Sequence, residues 1–220
     1  MKPAVTAAEL RKKLILFDLD GVLWDSRENM ARSWDRVRHE CGVTVPFEAY
    51  FSIIGRPFPD IMEQLGLGGR AGEIETVFRT ASMANMQAAH FYPGADALLR
   101  RMKRIGARLG IITSKDELRT GAVLAMIPVT FDVVRTPDAT TRGKPAPDHL
   151  LAAMATVGVD PAETIYIGDM DSDYEAACRA RIDYAHASWG YGEIPPGCST
   201  VLKEISDIEG LVSNVRQAAE

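Results

Sequence analysis

The sequence predicts an α/β fold, a parallel-sheet core with a helical cap inserted between its first and second strands. Three observations carry that prediction. Short apolar runs of strand length end on polar residues, as Leu14-Ile15-Leu16-Phe17 ends at Asp18. Between the later runs, apolar residues return at helical spacing, an alternation that favours parallel strands joined by helices. A long helix-rich section, about residues 25 to 91, separates the first run from the second.

In chain order, Leu14 to Phe17 reads as a buried strand followed by a polar turn holding Asp20 and Gly21. Within the inserted section, Trp34, Val37 and Cys41 share one helical face. Ile61, Met62 and Leu65 give a second apolar surface, and Ile74, Val77, Phe78 and Ala81 a third. Pro93-Gly94 marks the return to the core. Ala95, Leu98, Leu99, Met102 and Ile105 then predict an amphipathic helix, and Leu109 to Ile112 a strand ending at Thr113-Ser114. Val129 to Val134 is a third apolar segment, before a loop rich in Thr and Pro. Ile165 to Gly168 leads to Asp169, and Ile182 to Ala187 supplies another strand. Ser172-x-x-Glu175 matches a helix capping box. Ile205, Ile208, Leu211, Val212 and Val215 predict a terminal helix. The catalytic core is thus expected at residues 1–24 and 92–220, with the cap at 25–91.

Composition narrows the class. With 220 residues, 46% of them apolar and 25% charged, the chain suits a globular protein with a sizeable core rather than a disordered one. A net charge of -5 argues against a general nucleic-acid binder. No apolar run reaches transmembrane length, and the basic opening Lys2 to Lys13 leads to no apolar region with a cleavage-like site. Cys41, Cys178 and Cys198 are too few and too scattered for a disulfide framework, and the four histidines form no zinc motif. Cytoplasmic residence follows as the expectation, with neither nucleic acid nor membrane as partner.

The polar residues that end the strands have compatible chemistry. Parallel sheets place successive strand ends on one side, where their loops converge. Asp18 and Asp20 follow the first strand; Thr113 and Ser114 bring hydroxyl and amide donors; Lys144 brings a positive charge; Asp169 and Asp173 bring further carboxylates. Such a cluster repels itself when empty, and a divalent cation would lower that cost and polarise a phosphate oxygen. A carboxylate can attack phosphorus, while a second, protonated one donates to the leaving alcohol and later takes a proton from water. The set suits phosphate-ester hydrolysis without a catalytic His, Ser or Cys.

These residues lie in four ordered pieces: Phe17-Asp18-Leu19-Asp20-Gly21-Val22-Leu23, Ile111-Ile112-Thr113-Ser114-Lys115, Gly143-Lys144-Pro145-Ala146-Pro147-Asp148 and Gly168-Asp169-Met170-Asp171-Ser172-Asp173. Gly190-Tyr191-Gly192 adds a late segment. Together they resemble the haloacid dehalogenase superfamily of phosphohydrolases, especially its phosphoglycolate-phosphatase-like branch. The resemblance implies a Rossmann-like core and a magnesium ion. It implies that Asp18 is nucleophile and magnesium ligand, and that Asp20 is general acid/base and ligates through its main-chain carbonyl. Thr113 and the Ser114 amide would hold phosphoryl oxygens, and Lys144 would orient Asp18. Asp169 would ligate the metal directly, Asp173 through water or from behind. Arg56, in the Gly55-Arg56-Pro57 turn, would contact substrate. Asp171 reads as solvated or capping, and His149 as local structure.

The implied partner is a small phosphorylated metabolite, either phosphoglycolate or a sugar or biosynthetic phosphate, and the implied state is a monomer or homodimer. Two alternatives stand beside the phosphatase: a β-phosphoglucomutase-like phosphomutase and a noncatalytic interaction protein of the same fold. Met30 stands where comparable mutases carry a histidine, and Met cannot transfer a proton. The absence of Lys between Asp25 and Tyr92 removes the lysine of a Schiff-base phosphonate hydrolase. A dehalogenase proper lacks the second aspartate represented here by Asp20.

Overall fold

Leu14–Phe17 forms β1, and all four of its side chains are fully buried. Strand alternation sends Ile15 and Phe17 into one apolar cluster and Leu14 and Leu16 into another. A strand walled on both faces is apolar throughout, so its sequence shows no polar alternation. The computed structural model describes residues 10–138 and 140–212.

Beyond β1 the chain enters the insertion through β2 (Trp24–Asp25). It then forms α1 (Arg27–Cys41), α2 (Phe47–Phe51), α3 (Phe58–Gln64) and α4 (Ala71–Ala84), and leaves through β3 (His90–Phe91). β2 and β3 pair antiparallel, so the entering and leaving segments run side by side. The insertion buries an apolar cluster of its own, including Trp34, Val37 and Cys41 from α1 and Ile74 and Phe78 from α4. Trp34 stacks on Tyr50 with ring centroids 4.4 Å apart.

The core resumes with α5 (Ala95–Arg104), β4 (Arg108–Ile112), α6 (Glu117–Leu124), β5 (Val133–Arg135) and α7 (Asp148–Val157). It continues with β6 (Thr164–Gly168), α8 (Asp171–Ala180), β7 (Asp183–Ala187), β8 (Val201–Leu202) and α9 (Ile208–Val212). The sheet order is β5-β4-β1-β6-β7-β8, and every pairing is parallel. From β1 the strands build outward through β4 and β5, then return to β6 on its other side. β1 therefore borders the reversal of strand order, and open α/β sheets bind ligands in the crevice at the carboxyl end of that point. Asp18 stands there.

Some expectations change in detail. Of the apolar segment Val129 to Val134, only its end is strand. Asp132 already pairs with Leu109 twice, its N–H donating to the Leu109 carbonyl and its carboxylate accepting from the Leu109 N–H, each at 2.7 Å. The capping box at Ser172-x-x-Glu175 does not form, because α8 begins at Asp171. Asp173 instead accepts the N–H groups of Met170 at 3.0 Å and Asp169 at 3.2 Å, while Ser172 donates to the Gly55 carbonyl. Glu175 pairs with Arg179. The terminal helix is a short turn at Ile205–Asp207 running into α9, and Val215 lies outside the described residues. Among the described residues no helix is long and apolar enough to cross a membrane.

Candidate active site

The Asp18 N–H still donates into the ladder, to the Ile167 carbonyl at 2.9 Å, while its side chain leaves the sheet only 4% exposed. The following turn closes with the Gly21 N–H donating to the Trp24 carbonyl at 2.9 Å. Gly21 has a φ of 86°, and a Cβ there would lie 2.1 Å from Asp169 Oδ2. Backbone conformation and close approach both require glycine. Gly21→Ala is expected to displace Asp169 and lower kcat/KM by about 100-fold, the scale of a 1 Å misplacement, with the far-UV circular dichroism retained. An unchanged kcat/KM would contradict that dependence.

Lys144 is 2% exposed and anchors the charge network. Its Nζ lies 3.0 Å from Asp18 Oδ1, donates to Asp173 Oδ1 at 2.7 Å and to the Tyr166 hydroxyl at 3.3 Å. Tyr166 in turn donates to Asp173 Oδ1 at 2.8 Å. Burial works against the Lys144 charge, but the Asp173 and Asp18 carboxylates outweigh it and hold the ammonium above its ordinary range. All of Asp173 is therefore engaged, one oxygen by Lys144 and Tyr166, the other by two main-chain amides.

Asp169 follows β6 and is fully buried. Its Oδ2 accepts the Tyr191 N–H at 2.7 Å, and Gly190 permits that approach, since a Cβ there would lie 2.3 Å from Asp169 Cβ. Asp18 Oδ1, although ion-paired, and Asp169 Oδ1 are buried without an aligned hydrogen bond. Asp18, Asp169 and Asp173 each offer one oxygen, all within 4.8 Å of one another. Burial pushes Asp18 up from 3.8 to about 7; Lys144 opposes the rise, and Asp173 and Asp20 add to it. Burial raises Asp169 well above the usual carboxylate range, assisted by the Asp173 and Asp18 carboxylates. Three carboxylates against one ammonium, with Asp169 Oδ1 left without a partner among the described residues, fit a divalent cation.

Asp20 faces elsewhere. Its Oδ1 accepts from the Ser26 hydroxyl and lies 3.0 Å from Lys115 Nζ. Its side chain thus stands outside the three-carboxylate cluster. Thr113 is buried beside the same cavity, its hydroxyl accepting the Lys115 N–H at 3.1 Å. The Ser114 hydroxyl donates to the Gly55 carbonyl at 2.9 Å, so insertion and core meet at this loop. Arg56 is half-buried and reaches the cavity over Asp18, and among the described residues its guanidinium makes no ion pair or hydrogen bond. Asp171 is exposed, and His149 is buried in α7 with its Nδ1 lacking a hydrogen-bond partner among the described residues.

The family model described as haloacid dehalogenase-like hydrolase matches residues 15–187. The chain belongs to that family. It is 28% identical over 214 residues to a phosphoglycolate phosphatase from Aquifex aeolicus, covering 92% of this chain and 97% of the relative. It is 30% identical to the pyrophosphatase PpaX from Bacillus velezensis, covering 81% and 84% respectively. Among solved structures, one described as a putative phosphoglycolate phosphatase from Lactobacillus plantarum superposes with a TM-score of 0.82 at 24% identity, covering 91% of this chain and 99% of that one. Fold, family and carboxylate cluster together support enzymatic phosphohydrolase activity.

Three residues of this haloacid dehalogenase-like hydrolase have contacts at the site for which the sequence reading gave them no role. Tyr166 reads as one more apolar residue of a buried strand; only the need of a buried hydroxyl for partners marks it. Tyr191 acts through its N–H, which no side-chain pattern announces. Lys115 follows Thr113-Ser114 directly, and its adjacency was the one available signal.

Proposed function

We propose that the protein is a magnesium-dependent phosphatase that hydrolyses a small phosphate monoester through a phosphoaspartyl intermediate on Asp18. The observation that carries this reading is the cluster of three buried carboxylates, Asp18, Asp169 and Asp173, around a single ammonium, with Asp169 Oδ1 left without a partner among the described residues. Asp18, Asp169 and the Asp20 main-chain carbonyl would hold magnesium; Asp173 supports the site through Lys144 and through the amides of residues 169 and 170. When bound, magnesium supplies positive charge that polarises the phosphoryl group.

The chain's own residues do the rest. Asp18 attacks phosphorus as the bond to the leaving oxygen breaks, and Asp20 gives that oxygen its proton. Asp20 then takes a proton from the water that attacks the aspartyl phosphate, releasing inorganic phosphate and restoring Asp18. The Thr113 hydroxyl and the Ser114 amide hold the phosphoryl oxygens in line, and Lys144 fixes Asp18. Residues 25–91 act as a cap that selects the organic part of the substrate, with Arg56 as its contact. Met30 lines the cavity with no proton to offer, which favours hydrolysis over transfer between sugar positions. Phosphoglycolate and sugar or biosynthetic phosphates are the candidate substrates, in a cytoplasmic monomer or homodimer.

Chelation of the purified protein should abolish phosphate release, and added magnesium should restore it. Because Asp18 is pushed up to about 7, a proton competes with the metal. Magnesium affinity should therefore fall below pH 7 by up to about tenfold per pH unit, read by titration at pH 6 and pH 8. No phosphate release from any member of a broad, metal-supplied ester panel would overturn the proposal.

A further inference from the structure

Two cations without a task in the reaction above reach the same cavity. Lys115, in the loop that leads from β4 into α6, and Arg119, in the first turn of α6, are 7% and 8% exposed, and both line the space over Asp18. Lys115 Nζ lies 3.0 Å from Asp20 Oδ1. Arg119 is anchored from behind by Asp116, which also draws Arg79 of α4 to 3.5 Å, and its guanidinium lies 5.4 Å from the centre of the Phe78 ring. Burying a cation is costly unless an anion faces it, and the low dielectric that imposes the cost also strengthens any anion contact made there.

Beside the Asp18–Lys144 pair, the cavity is lined by the cations Arg56, Lys115 and Arg119 and by the carboxylates of Asp20 and Glu75. Asp20 pairs with Lys115, Asp116 holds Arg119 from outside the lining and Glu75 is bonded to Arg79, which leaves Arg56 as the lining cation with no partner among the described residues. The remaining wall is apolar, built from Met30, Tyr50, Ile54, Phe58 and Phe78, and offers few partners to a leaving group rich in hydroxyls. The space measures about 70 Å³, which suits a compact group. Lys115 keeps donors beyond the one directed at Asp20, since an ammonium carries three.

We infer that Lys115 and Arg119 form a second anion site, and that the substrate's leaving group carries a second anion, carboxylate or phosphate, facing them. The inference rests on the phosphatase reading above and narrows it, setting polyhydroxyl sugar phosphates aside.

Matched substrate pairs test it on the magnesium-loaded enzyme. Phosphoglycolate is compared with 2-hydroxyethyl phosphate, and inorganic pyrophosphate with methyl phosphate, by kcat/KM. The wild type should favour at least one anionic member by about 10- to 100-fold, the worth of a hydrogen bond to a charged group. Which pair shows the preference separates carboxylate from phosphate. Lys115→Met touches Asp20 as well and lowers kcat throughout, so the decisive readout is the ratio. The preference should shrink to within about threefold through a rise in KM for the anionic member alone, and Lys115→Arg should recover most of it. Turnover with no anionic preference, or a preference that survives Lys115→Met, would overturn the anion site and leave the phosphatase standing. No turnover of any of the four would overturn both.

Discussion

Asp18→Asn is expected to lower kcat by at least about four orders of magnitude, the scale on which removing a nucleophile acts. The amide has nearly the same shape and can neither attack phosphorus nor carry the intermediate. The same substitution should raise the thermal midpoint of the metal-free protein at pH 8. Burial outweighs the attraction of Lys144 and pushes folded Asp18 up from its ordinary 3.8 to about 7. The folded state therefore binds the proton more tightly than the unfolded one, and stability falls as pH rises from about 4 to about 7. Asparagine never ionises and escapes that loss, so the difference should vanish near pH 4. A lower midpoint at pH 8, or turnover within tenfold of wild type, would contradict the placement of Asp18 as a buried nucleophile.

Lys144→Met should produce the largest loss of stability of any single change at the site. Lys144 is the ammonium shared by Asp18 and Asp173, and both partners are buried. Removing one partner of a buried pair leaves uncompensated charge and costs about 3–5 kcal/mol. Its folded pKa is held above the ordinary value, so its contribution is complete throughout the neutral range and is lost only at strongly basic pH. Toward acid the carboxylates protonate and the penalty of the variant should shrink. Magnesium should recover part of the stability, since it offers the same carboxylates another cation, while activity stays low because Asp18 loses its orienting partner. Urea denaturation with and without magnesium reads both effects. A loss below 1 kcal/mol at pH 7 would show that Lys144 is not the counter-charge of the cluster.

Much of this was legible in the chain because the fold's signals are local. A strand buried on both faces is simply an apolar run, so Leu14–Phe17 and Ile165–Gly168 announce themselves, and the aspartates that follow them mark the crevice. Helical spacing likewise placed Trp34, Val37 and Cys41 on one buried face. Long-range partners were less visible. Asp173 reads as a member of a carboxylate group, but its oxygens are engaged by Lys144, Tyr166 and two amides, a division of labour that depends on where α8 starts. The capping box failed for the same reason, a helix start that the residues on either side could satisfy in two ways. Ser172 instead reaches across to Gly55, 117 positions away. The partner of Asp20 was unreadable too, because Lys115 lies on another strand's loop and only the neighbouring positions of β1 and β4 in the sheet bring them together.

The most direct test is mass spectrometry of the protein quenched within its first turnovers on a good phosphate ester, using Asp20→Asn to slow hydrolysis of the intermediate. The expected result is a magnesium-dependent gain of one phosphoryl group on the peptide that contains Asp18, absent from Asp18→Asn and lost by hydrolysis once the substrate is exhausted. Phosphate attached reproducibly to another residue during genuine turnover, or turnover that persists undiminished in Asp18→Asn, would contradict the covalent mechanism.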